Sequence, residues 1–158
     1  MVGCGSSELP SVVQQCHPSC EQLTLLDSSE TCLQTLKNRY GDSMSYACGD
    51  ATQLSQVLSS LPVDVIYDKG LMDALFCDEG WNGPIADLLE EAGKVLNDQG
   101  GVYILISYRL PSSTQEFLAQ VGKANQLEWQ FDLPESNARV GVSVARKLGK
   151  WEERVHVS

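Results

Sequence analysis

The chain has 158 residues and a formal charge of −10, with 42% hydrophobic and 20% charged residues. That length fits one domain able to bury roughly 70% of its unfolded surface. Its acidity argues against nucleic acid held through phosphates, which needs a Lys/Arg surface, and no apolar run reaches the ~18–20 residues that span a bilayer.

From the first residue the pattern is that of alternating strands and helices. Met1-Val2 ends in Gly3-Cys4-Gly5, and Leu9, Val12, Val13 and Cys16 then fall on one helical face that Pro18 stops. Leu23 to Leu26 reads as a buried strand closing at Asp27. Ser28 and Ser29 are helix caps for a stripe of Cys32, Leu33, Leu36 and Tyr40. Met44 to Cys48 is an edge-side strand followed by Gly49-Asp50-Ala51, and Leu54, Val57, Leu58 and Leu61 form a helical face ended by Pro62. Val63 to Tyr67 is the next strand, closing at Asp68-Lys69-Gly70, with a short helix or turn over Leu71, Met72, Leu75 and Phe76.

Asn82-Gly83-Pro84 opens the clearest helix, since Pro is tolerated in a first turn. Ile85, Leu88, Leu89, Ala92, Val95 and Leu96 give it one apolar face. Val102 to Ser107 has the look of a fully buried strand, and Phe117, Leu118 and Val121 mark a last helix. Leu127 to Leu133 and Arg139 to Lys147 are two strands joined through Pro134-Glu135-Ser136-Asn137 with no helix between them. The expected fold is α/β: a doubly wound, Rossmann-like, mostly parallel sheet ending in an antiparallel hairpin. Residues 1–147 form one domain and 148–158 a loosely held tail.

Six cysteines (Cys4, Cys16, Cys20, Cys32, Cys48, Cys77) fall mostly at apolar positions. This is the usage of buried free thiols in a reducing compartment, hence a cytoplasmic protein; an upstream targeting segment would redirect it, to mitochondria for example. Cys16-His17-Pro18-Ser19-Cys20 has no second Cys/His cluster to complete a metal site, so it reads as a turn and no metal is expected. Neither His17 nor His156 falls near the expected ligand rim.

The candidate site lies at the carboxyl ends of the strands, where doubly wound sheets bind ligands. Gly3-Cys4-Gly5 lacks the third glycine of a dinucleotide fingerprint, because Glu8 stands in its place. A carboxylate at a helix start repels a pyrophosphate and suits a cationic ligand without phosphate. Asp27 can take both ribose hydroxyls, or simply cap the following helix. Asp50 shares the rim, with a turn residue as its plain alternative.

Together these features resemble the seven-strand, S-adenosylmethionine-dependent methyltransferases over nearly the whole length. Asp68-Lys69-Gly70-Leu71-Met72-Asp73-Ala74-Leu75 is similar to the D/E-K-G-T-L-D-A-L signature of the methyltransferase-like 13 group, which includes lysine methyltransferases of elongation factor 1-alpha and of citrate synthase. Val2 to Leu9 is similar to that group's L-G-C-G-N-S-x-L loop; Ser6 stands for its Asn and Leu71 for its Thr.

The resemblance implies S-adenosylmethionine as cofactor. Gly3 and Gly5 would admit its methionine part, Asp27 the ribose, and Asp50 with Ala51 the adenine. Asp68 would be catalytic, facing the sulfonium and the acceptor. Lys69 and Asp73 match signature positions, with an exposed i, i+4 ion pair as their plain reading. Tyr67, Trp81 and Tyr108 fall near the same rim, where a ring face can meet a cation; each could equally be packed.

The function implied is methyl transfer to a protein lysine, with no nucleic-acid or membrane partner. A non-catalytic binding module, an inactive fragment, a small-molecule methyltransferase and a nicotinamide dehydrogenase remain as alternatives, the last disfavoured by Glu8. In the implied strand order the first strand is central, yet only Met1 and Val2 of it precede the turn. Backbone groups of both neighbours would then lack partners, so the expectation is a fragment of a longer chain, a rearranged sheet or a weakly stable product.

Overall fold

Pro10 sits in the first turn of helix α1 (Leu9–Cys16), where a missing N–H costs nothing, and the His17 N–H closes the helix on the Val13 carbonyl. Strand β1 (Thr24–Asp27) follows, then α2 (Glu30–Tyr40), whose Ser29 side chain accepts the Cys32 N–H as an N-cap. Next come β2 (Ser45–Cys48), α3 (Leu54–Val57), β3 (Val65–Lys69) and α4 (Leu71–Leu75). The chain continues through α5 (Asn82–Val95), β4 (Val102–Tyr108), α6 (Ser112–Ala124), β5 (Leu127–Gln130) and β6 (Val140–Lys147). This computed structural model describes residues 1–134 and 139–149. The expected turn at Glu135-Ser136-Asn137, His156 and the tail beyond Gly149 lie outside the described residues.

β1 and β2 pair in parallel, Leu25 opposite Tyr46 and Asp27 opposite Cys48. β3 pairs in parallel with β4, and β6 inserts antiparallel between β4 and β5, giving the order β3-β4-β6-β5. Among the described residues, the backbone ladders of the two groups are bridged by the first residues. Val2 bridges both Leu26 and Asp68; its N–H donates to the Tyr67 carbonyl at 2.9 Å, while the Leu26 N–H donates to Met1 at 2.9 Å. The doubly wound order with its terminal antiparallel pair is as expected, and the strand order is not rearranged.

Helices cover the sheet through two apolar clusters. One gathers Met1, Val13, Leu25, Leu33 and Leu36 beneath α1 and α2. The other gathers Val2, Leu26, Leu54, Leu88, Leu89, Tyr103 and Leu118 beneath α3, α5 and α6. Neighbours Met1 and Val2 divide between the clusters, as do Leu25 and Leu26, because successive strand residues point to opposite faces. α5 supplies most of the second cluster, with Ile85, Leu88, Leu89 and Ala92 fully buried.

Three expected elements differ. The helical face drawn to Leu61 ends at Val57, and Leu58 turns extended; Ser59 and Ser60 compete for backbone groups and Pro62 bars helical geometry at Leu61. The strand drawn from Val63 begins at Val65, because Val63 exchanges hydrogen bonds with Val95 and Asn97 and so ties down the end of α5. The strand drawn to Leu133 ends at Gln130. The cysteines are free, but only Cys4 is buried; Cys16, Cys20, Cys48 and Cys77 are exposed, so their apolar spacing did not place them in a core. No described helix is long and apolar enough to cross a membrane.

Candidate functional site

At the carboxyl ends of the strands, Gly3, Asp27, Asp50, Ala51, Lys69 and Leu71 line a cavity of about 450 Å³. Gly3 has φ +55°, and a Cβ on it would meet the Leu71 Cβ at 2.6 Å, so only glycine lets the opening loop lie against the turn after β3. Gly5 has φ +50° with open space where its side chain would stand. Its N–H donates to Asp27 Oδ2 at 2.7 Å, and the Ser29 N–H donates to Oδ1 at 2.9 Å. The Asp27 carboxylate is thereby fixed, with lone pairs left on both oxygens for an arriving diol.

Asp50 is exposed and uses Oδ1 to accept the Thr52 N–H at 2.8 Å, holding the turn that presents buried Ala51. The structure thus brings together every residue expected to hold a nucleoside: Gly3, Asp27, Asp50 and Ala51 on the wall, Gly5 through its bond to Asp27. Two carboxylates and one lysine face the cavity, beside a loop that begins a helix carrying Glu8. The set fits a cationic, phosphate-free nucleoside: hydroxyl donors meet carboxylates, and no cluster of basic groups awaits a pyrophosphate. Its volume lies within the ~300–1,000 Å³ of ordinary small-molecule sites.

Asp68 corrects the expectation placed on it. Its side chain is fully buried and turned inward. Oδ1 accepts the Leu71 N–H at 2.9 Å, both oxygens share the Met72 N–H, and Oδ2 accepts the Tyr103 hydroxyl at 2.7 Å. Burial raises its pKa to about 6 against the lowering pull of those donors. A carboxylate so enclosed is not among the residues that line the cavity; it caps α4 and holds the turn at 69–71 that forms part of the cavity wall. Tyr103 is the residue that sequence reasoning missed. A tyrosine inside the apolar run Val102 to Ile106 needs a partner for its hydroxyl when buried, a signal that does not say which residue supplies it.

The ion pair between Lys69 and Asp73 does not form. Lys69 lines the cavity, while Asp73 accepts the Tyr108 N–H at 3.3 Å on both oxygens, and burial raises its pKa. Tyr108 ends β4 with 72% of its surface exposed. Trp81 is packed edge-on between Phe76 and Phe117, with centroids 5.1 and 5.0 Å away, and Tyr67 packs against the cluster beneath α1. Of the three rim aromatics expected, Tyr108 alone stands open to a ligand.

No protein-family model matches the sequence, and no curated protein matches it. Solved structures do. An S-adenosylmethionine-dependent methyltransferase from Clostridium acetobutylicum aligns over 94% of this chain and 82% of its own, with 15% identity and a TM-score of 0.72. A methyltransferase from Pyrococcus furiosus aligns over 92% and 72%, with 16% identity and a TM-score of 0.70. The plantazolicin methyltransferase BpumL, solved in complex with SAH, aligns over 93% and 75%, with 13% identity and a TM-score of 0.65. The likeness establishes the fold.

Proposed function

We propose, from a chain that has the Rossmann-like fold of S-adenosylmethionine-dependent methyltransferases, that the rim cavity binds S-adenosylmethionine and that the protein methylates an amine, a lysine side chain of a protein. The observation that carries this is the convergence of Gly3, Asp27, Asp50 and Ala51 on one cavity, with Asp27 pre-oriented by Gly5 and Ser29. Asp27 would take the ribose hydroxyls, Asp50 and Ala51 the adenine, and the Gly3–Gly5 backbone the methionine part. The bound cofactor supplies an electrophilic methyl group on a sulfonium.

Methyl transfer is an in-line displacement, so the protein's task is to position the reactants and to receive a proton. A free lysine holds its proton up to about pH 10.4. Asp73 is the carboxylate suited to that proton: it stands beside the cavity wall formed by Ala74 and Leu75, its basicity is raised by burial, and its one bond to Tyr108 is long. The exposed Tyr108 ring next to it offers a face to an ammonium. Asp68 acts as a positioning residue through Leu71 and Met72. The charge of −10 favours a basic protein surface as substrate.

The test is transfer of a radiolabelled methyl group from S-adenosylmethionine to lysine-rich acceptor proteins, followed by amino-acid analysis. Label in methyl-lysine is expected, with Asp73→Asn lowering turnover at least ~10-fold while cofactor affinity is kept. Cofactor binding without transfer to any acceptor would favour a non-catalytic binding module, the reading to which the enclosed Asp68 carboxylate lends weight.

A further inference from the structure

The residues of the rim cavity follow one another across the sheet. Asp50 follows β2, Asp27 ends β1, Gly3 follows Val2, which bridges β1 and β3, and Lys69 ends β3. Three strand spacings of ~4.8 Å separate the two flanks, roughly 14 Å. A nucleoside with its base at Asp50 and Ala51 and its ribose on Asp27 therefore sends its 5′ substituent past Gly3 toward Lys69. Among the described residues that line the cavity, Lys69 is the one cation. It is exposed, and its ammonium has no ion pair or hydrogen bond among the described residues.

The direction of its side chain follows from the strand. Side chains alternate across β3: Ile66 joins the cluster beneath α5 and Asp68 reaches Tyr103, while Tyr67 packs beneath α1. Lys69 thus leaves the strand on the α1 side, where the glycine loop turns into that helix. The loop itself offers little to an anion. The N–H groups of Cys4, Gly5, Ser7 and Leu9 are spent on the Leu26 carbonyl, the Asp27 carboxylate, the Cys4 carbonyl and the Ser7 hydroxyl. Glu8 stands at the start of α1 and brings a negative charge of its own. An anionic end of the ligand is therefore left to a side chain, and Lys69 is the one in place.

We propose, resting on the reading that the cavity binds S-adenosylmethionine, that Lys69 holds the α-carboxylate of its methionine arm and so selects ligands that carry that group. The Gly3–Gly5 backbone then gives the arm passage, and Lys69 fixes its end. The arrangement also discriminates by charge. Asp27 and Asp50 alone would draw any cationic nucleoside into the cavity. Lys69 sets ammonium against ammonium when the arm ends in an amine without the carboxylate, as in the decarboxylated cofactor, and so disfavours it.

Calorimetric titration of the full chain compares two ligands that share the nucleoside: the demethylated product, S-adenosylhomocysteine, and 5′-methylthioadenosine, which lacks the amino-acid arm. The wild type is expected to bind the first at least ~10-fold more tightly. Lys69→Met keeps the stem and removes the charge. It is expected to lose roughly tenfold for the product and nothing for 5′-methylthioadenosine, with Tm unchanged in the absence of ligand. Lys69→Arg is expected to retain most of the affinity, whereas Asp27→Ala is expected to weaken both ligands alike. If Lys69→Met binds the product as the wild type does, or loses both ligands equally, the proposal falls while the cofactor reading stands. If the wild type binds neither ligand, the cofactor reading falls and the proposal with it.

Discussion

Asp68 shows how a single buried carboxylate can hold a site together without touching its ligand. Its pKa of about 6, raised from 3.8 by burial, means that the folded protein binds this proton more tightly than the unfolded chain does. The contribution of Asp68 to stability is therefore greatest below about pH 4, falls as pH rises from 4 to 6, and is level above that; the shift corresponds to about 3 kcal/mol. Asp68→Asn keeps an acceptor for Leu71 and Met72 and abolishes this titration. Urea melts across pH 4–6 should show the variant gaining on the wild type as pH rises, and parallel curves would refute the assignment. Sequence made Asp68 visible at a strand end. The direction of its side chain depended on Tyr103, 35 residues away, and that was not legible from local pattern. Asp27 was legible in place, at the end of β1, whereas the bonds from Gly5 and Ser29 that orient it emerged only from the fold.

The elements that build the site are short and rely on one another. α4 starts at Gly70, with φ +89°, and is capped by Asp68, and its first residue Leu71 rests on Gly3. Gly3→Ala would force a side chain into a left-handed backbone and against the Leu71 Cβ. We expect a loss of about 1–3 kcal/mol and cofactor affinity reduced more than Gly5→Ala reduces it, since open space surrounds Gly5. Equal effects of the two substitutions, measured by calorimetry and melts, would contradict the packing role of Gly3. Periodicity located α5 and β4 well because their apolar faces are long. It overran at α3 and misplaced the start of β3, where Pro62 and the tie between Val63 and α5 decided the boundaries.

At the scale of the molecule, the described residues form two strand ladders bridged at Met1 and Val2. β1 pairs with β2, whereas β3, β4, β6 and β5 form one ladder; the two apolar clusters lie on opposite faces and draw on strands of both groups. Local opening should follow that division. Hydrogen exchange is expected to release the amides of β1 and β2 well before those of β4 and β6, and uniform protection would contradict a weak seam at Met1 and Val2. The strand order was not legible in full, because retaining it depends on long-range packing of Leu26, Ile66 and α5.

The central claim is that the rim cavity holds S-adenosylmethionine through Asp27. Calorimetric titration with S-adenosylmethionine, its demethylated product and NAD tests it most directly. The account predicts one site per chain for the first two ligands, none for NAD, and affinity at least ~10-fold weaker in Asp27→Ala, the worth of about 1.4 kcal/mol. Binding of NAD instead, or Asp27→Ala binding as the wild type does, would contradict it.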